Sequence, residues 1–173
     1  MTPSATPLRR GLLLAALQAG LLLAMGALMQ VENATQPRGW ARTVPLDPDL
    51  PIRGRYVALV LRLPAPAERP RNAAERVWRV ALRVREGRVI AVPAAQGEAN
   101  PRNAWLRDGP DGPVLDLSDS LAFFLPEHSA DPTQRRPGET LWAEVTLPRQ
   151  GPPRPLRLGV ERPPGRIEPL TRP

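Results

Sequence analysis

The chain has 173 residues, 24 arginines, no lysine and no cysteine, and a formal net charge of +7. Without cysteine there can be no disulfide, thiolate metal site or cysteine nucleophile. The basic excess is scattered among Asp and Glu, and Tyr56, Phe123, Phe124 and four tryptophans are the only aromatic residues. Nucleic-acid binding calls for a basic stripe interleaved with aromatics, so no nucleic-acid partner is expected.

The first element in chain order is the uncharged run from Gly11 to Met29, interrupted only by the polar Gln18. At about 1.5 Å per residue such a run matches the hydrocarbon thickness of a bilayer, which predicts a transmembrane anchor over residues 11–30. Arg9 and Arg10 precede it, and Glu32, Arg38, Arg42, Asp47 and Asp49 follow, a local sum of −1. The positive-inside rule then places residues 1–10 in the cytoplasm and the rest beyond the membrane. A cleavable signal peptide shares this grammar, but its apolar core is usually shorter, and here the small residues around Ala24-Met25-Gly26 fall inside the run. A retained anchor is the better reading.

Residues 31–50 read as a polar stalk marked by Pro37, Pro45 and Pro48. A β domain is expected over 51–162, and a disordered, proline-rich tail over 163–173. Within the domain, residues 53–63 alternate, with Val57, Leu59, Leu61 and Leu63 on one face. Residues 76–85 alternate again, and the turn Glu86-Gly87 returns the chain through Val89 to Val92 as a hairpin. Short strands are expected over 104–107 and 114–117, on either side of the turn Asp108 to Pro113. The segment 118–127 is ambiguous between a helical turn and an extended chain, and either way its Phe123-Phe124 pair is expected to contribute to the core. Residues 140–147 and 155–161 alternate and pair as a second hairpin. No helix longer than a couple of turns is expected outside the membrane. The fold class is therefore mainly β: one N-terminal transmembrane helix, then a small antiparallel β-sandwich or barrel-like domain.

The order of anchor, short stalk and the segment Arg53-Gly54-Arg55-Tyr56-Val57-Ala58-Leu59-Val60-Leu61 resembles the GDYXXLXY protein family. Gly54, Tyr56 and Leu59 match its signature strand; Arg55 stands where the family has Asp, and Leu61 where it has a second Tyr. Phe124-Leu125-Pro126-Glu127 is similar to a further family feature, an aromatic followed by Val-Pro-Glu. The resemblance makes Gly54, Tyr56, Leu59, Phe124, Pro126 and Glu127 structural or interaction residues. It also implies a retained anchor, a bacterial inner-membrane location with the domain in the periplasm, no assigned activity, and a multi-spanning membrane protein as partner.

Catalytic chemistry finds little to build on. His128 is the only histidine, so a Ser-His-Asp triad would need it together with Ser118, Ser120 or Ser129, and it lies in a polar loop. A serine-lysine dyad is impossible without lysine. Asp108, Asp111 and Asp116 could offer oxygens to calcium, but their spacing fits no EF-hand loop. The expectation is a non-enzyme without cofactor or metal. It contacts the lipid bilayer through residues 11–30 and serves as accessory or interaction partner of a multi-spanning membrane protein. The alternative is an envelope-facing binding module for an anionic ligand or peptide, which requires Tyr56, Trp142 and several arginines to converge on one exposed concave patch.

Overall fold

The computed structural model describes residues 5–46, 56–67, 76–126, 131–163 and 165–170. The chain divides into two units, Met1–Gln36 and Pro37–Pro173.

The first unit is helix α1 (Ala5–Thr35). Its segment Arg10–Val31 is long and apolar enough to cross a membrane. Leucines lie all round this helix, from Leu12 to Leu28, with exposed side chains. A helix that is apolar on every side belongs in a lipid or protein interior, because water would solvate none of its faces well. At the end of α1 the Thr35 hydroxyl donates to the Val31 carbonyl at 2.9 Å, and Pro37 follows two residues later, where a helix cannot readily continue.

The second unit is a β-barrel with an extension. Its strands are β1 (Arg38–Leu46), β2 (Tyr56–Pro64), β3 (Val77–Arg85), β4 (Arg88–Pro93), β5 (Arg102–Gly109), β6 (Gly112–Phe124), β7 (Thr140–Thr146), β8 (Arg154–Arg162) and β9 (Arg166–Pro169). Six of them close a ring in the order β1-β2-β6-β5-β3-β4, and β7, β8 and β9 extend outward from β1. Closure removes sheet edges that would otherwise invite pairing with other chains. The mainly β fold class expected from the sequence is the one observed. The predicted alternation sets its core: Val57, Leu59, Leu61 and Leu63 of β2 point inward and meet Trp78 and Val80 of β3, Leu115, Leu117 and Leu121 of β6, and Val145 and Val160 of the extension.

Three expectations are corrected. The segment 31–50 contains strand β1 and is no free stalk: Ala41 and Thr43 are buried, and β1 pairs with β2, β4 and β7. Pro45 fits because it sits exposed near the strand's end, where a missing N–H is tolerated. The tail 163–173 contains β9, which pairs with β8 from Gly159 to Arg162, and the Leu170 N–H donates to the Leu158 carbonyl. Finally, 118–124 is extended as part of β6, and its two aromatics separate. Phe123 packs against the core, whereas Phe124 is 70% exposed.

Candidate functional site

Strand β1 changes partner along its length, and Arg42 marks the change. Residues Arg38 to Arg42 run opposite β7, whereas Arg42 to Leu46 run opposite β2. On the barrel side, β1 meets β4 in one registered pair, Trp40 opposite Arg88, with the Trp40 N–H bonded to the Gly87 carbonyl. A strand that must serve three partners cannot stay in full contact with all of them, and a cleft opens at the seam. Its cavity of about 360 Å³ is walled by Arg42, Arg62, Arg88, Asp111, Trp142 and Glu161 among others. A second hollow of about 230 Å³ adjoins it through Arg42, Arg62, Asp111 and Val114.

Register places these side chains together, since directly opposed residues share one face of a sheet. Trp142 opposes Arg42, Arg42 opposes Arg62, Arg62 opposes Asp116 and Asp116 opposes Trp105. Their neighbours Ala41, Leu61 and Ala143 are buried, so this row runs along the outer face. Two opposed arginines repel. Asp116 relieves Arg62 by accepting from Nε at 2.7 Å and from Nη2 at 2.8 Å. That hydrogen bond holds the Arg62 guanidinium above its ordinary pKa.

Arg42 is held less firmly. Its Nη1 lies 3.7 Å from Oδ2 of Asp111, and its Nη2 reaches the Thr140 hydroxyl at 3.5 Å. Arg88 lies over the Trp142 ring, 5.1 Å from its centroid, a cation–π contact. The Trp142 indole N–H donates to Glu161 at 2.9 Å, which fixes the ring as a wall of the cleft. A parallel arrangement stands beside it: Arg157 covers Trp40 at 5.4 Å and bonds to Glu144.

The six residues singled out by family resemblance divide. Gly54 and Glu127, like His128, lie outside the described residues. Leu59 is fully buried in the barrel core. Tyr56 and Phe124, far apart in sequence, are directly opposed on β2 and β6, their ring centroids 6.3 Å apart, and Pro126 follows as an exposed residue after β6. This pair is not part of the cleft. The patch expected of the binding reading does not form as stated: Trp142 and three arginines line the cleft, but Trp142 is buried and Tyr56 lies elsewhere, beside Phe124. Arg42 escaped notice in the sequence because it fell in the segment read as stalk, and Arg62 and Arg88 had no signal beyond being arginines. Among the described residues no three His, Cys, Asp or Glu side chains are grouped as a metal site would need. Asp116 is engaged by Arg62 and lies 3.9 Å from Arg107, and Asp111 faces Arg42.

Comparison with protein-family models, with curated proteins and with solved structures gives no match.

Proposed function

We propose that this chain is a membrane-anchored, non-catalytic binding module of the GDYXXLXY type whose barrel cleft holds an anionic group. In this reading α1 spans the bacterial inner membrane with its N-terminus in the cytoplasm, and the barrel works on the periplasmic side. The observation that carries the binding reading is the convergence of Arg42, Arg62 and Arg88 on a cleft walled by Trp142. Guanidinium groups stay protonated at any physiological pH, so they bind anions well and serve poorly as proton acceptors. The indole gives the site a rigid apolar surface next to those charges. Full-length protein in lipid nanodiscs, titrated with poly-L-glutamate, tests the reading through tryptophan fluorescence. A saturable change is expected, and it should disappear in an Arg42→Gln, Arg88→Gln double variant. An identical response from both proteins defeats it.

A second reading rests on the far end of β1, where Leu46 is 48% and Phe124 70% exposed beside Tyr56. These apolar groups support a contact with another protein, which fits an accessory of a multi-spanning membrane protein. Co-purification in mild detergent should recover such a partner in stoichiometric amount, and recovery should fall with Phe124→Ser. Repeated isolation of the protein alone counts against it.

A further inference from the structure

The cleft contains a carboxylate that behaves as a replaceable occupant. Asp111 lies in the two-residue loop between β5 and β6, where Gly109 opposes Gly112. Its side chain is 81% exposed, and its approach to Arg42, 3.7 Å, is longer than a hydrogen bond. The neighbouring Asp116, by contrast, grips Arg62 through both oxygens. Among the described residues, Arg42 therefore has a carboxylate near it but no close bond to one. Arg88 makes no ion pair among the described residues, and its guanidinium rests on Trp142.

We infer that the cleft is a site for a monocarboxylate with an apolar stem, and that Asp111 occupies the carboxylate position until such a ligand displaces it. This inference rests on the reading of the cleft as a binding site. The group that is displaced, the carboxylate of Asp111, selects the ligand's head group. Arg62 is held by Asp116, which also lies 3.9 Å from Arg107. With Asp111 withdrawn, Glu161 is the acidic side chain that remains among the described lining residues beside Arg42 and Arg88. A ligand carboxylate replaces that of Asp111 charge for charge and shape for shape. The stem is selected by the rest of the wall: Leu63, Pro64, Ile90 and Val114 present apolar surface next to the arginines. A cavity of about 360 Å³ sits at the small end of ligand pockets, so a short chain fills it. Fatty acids and the C-terminus of a peptide share this chemistry.

Calorimetric titration of the full-length protein in nanodiscs separates the sources and tests the inference. The probes are hexanoate, hexanamide, hexyl phosphate, and acetyl-Ala-Leu-Val as free acid and as amide. Binding of hexanoate, the free tripeptide acid or both, with neither amide bound, is expected; the tighter acid identifies the source. Arg42→Gln should weaken the binding acid about 10- to 100-fold, the loss of a charge-assisted hydrogen bond. Asp111→Asn should tighten it about two- to fivefold, since it removes an exposed competing ion pair. Hexyl phosphate binding as well as the acids, or amides binding equally, overturns the carboxylate assignment. Unchanged affinity in Asp111→Asn overturns the displacement. Silence of every acid while poly-L-glutamate still gives its Arg42-dependent response removes this inference and leaves the binding module standing.

Discussion

At the scale of single residues, the packing of β1 against β8 and β9 depends on one absent methyl group. Gly159 lies opposite Trp142 on β8. A Cβ there would stand 2.8 Å from the ring of Trp40 and 2.9 Å from Cγ2 of Ile167. Neither neighbour can withdraw easily: Trp40 lies opposite Arg88 in the pair that joins β1 to β4, and Ile167 belongs to β9, paired with β8. Gly159→Ala should therefore overpack the contact between β1, β8 and β9 and destabilise the barrel by about 1–3 kcal/mol. Denaturant unfolding followed by far-UV circular dichroism should show a lower midpoint at unchanged slope. A midpoint equal to wild type would show that Trp40 has room to turn away.

At the scale of elements, the chain's legibility followed its periodicity. β2, the hairpin of β3 and β4, and the pair β7 and β8 were readable because large apolar residues recur at every second position, as in Val57, Leu59, Leu61 and Leu63. β1 was not, because its inward positions hold the small or polar residues Gly39, Ala41 and Thr43 while Trp40, Arg42 and Val44 face outward. Thr43 is buried with its hydroxyl donating to the Leu141 carbonyl at 3.0 Å, a satisfaction that only the folded neighbour reveals. β6 was cut short in the reading because its pairing with β2 shifts register between Val60 and Arg62; at the bulge Asp119 turns to Arg102. The site suffered most, since its position follows from where β1 changes partner, a tertiary event. The edge of the extension offers an acid test. Arg162 on β8 donates to Glu139, just before β7, at 2.8 Å and to Glu168 on β9. The hydrogen bond from Arg162, then the one from the Arg136 N–H, hold the Glu139 carboxyl below the ordinary glutamate range. A depressed folded value means that this contribution is complete above the unfolded pKa of about 4.3 and is lost as pH falls through the folded value. Acidification should therefore loosen β7, β8 and β9 first. Amide exchange in β8 and β9 should accelerate below about pH 4 in the wild type and change less in Glu139→Gln. Equal acceleration in both would assign the effect to other carboxylates.

At the scale of the whole molecule, the barrel and α1 solve opposite solvation problems. The barrel closes its backbone hydrogen bonds around an apolar core and shows charged side chains to water. α1 keeps its backbone bonds within itself and shows leucine all round from Leu12 to Leu28. Only a bilayer suits the second arrangement without a protein partner, which turns the helix into a quantitative prediction. Leu21 lies near the middle of the apolar segment Arg10–Val31 and is 71% exposed. An arginine at a helix centre costs about 2.5–3.5 kcal/mol of insertion free energy. Exchanging leucine for it also forfeits about 0.3–0.6 kcal/mol of favourable transfer. The charge would add to the polar Gln18 already in the run. Leu21→Arg should therefore move a large share of the protein from the carbonate-resistant membrane fraction to the soluble fraction, while Leu21→Ile leaves the distribution unchanged. The barrel's core cluster is built from residues of the second unit, so the released Leu21→Arg protein should retain the β-type circular dichroism of the membrane-bound form. Retention of Leu21→Arg in the membrane at wild-type level would mean that α1 is held by another helix that shields the charge, and the anchor would then have to be read as half of a protein interface.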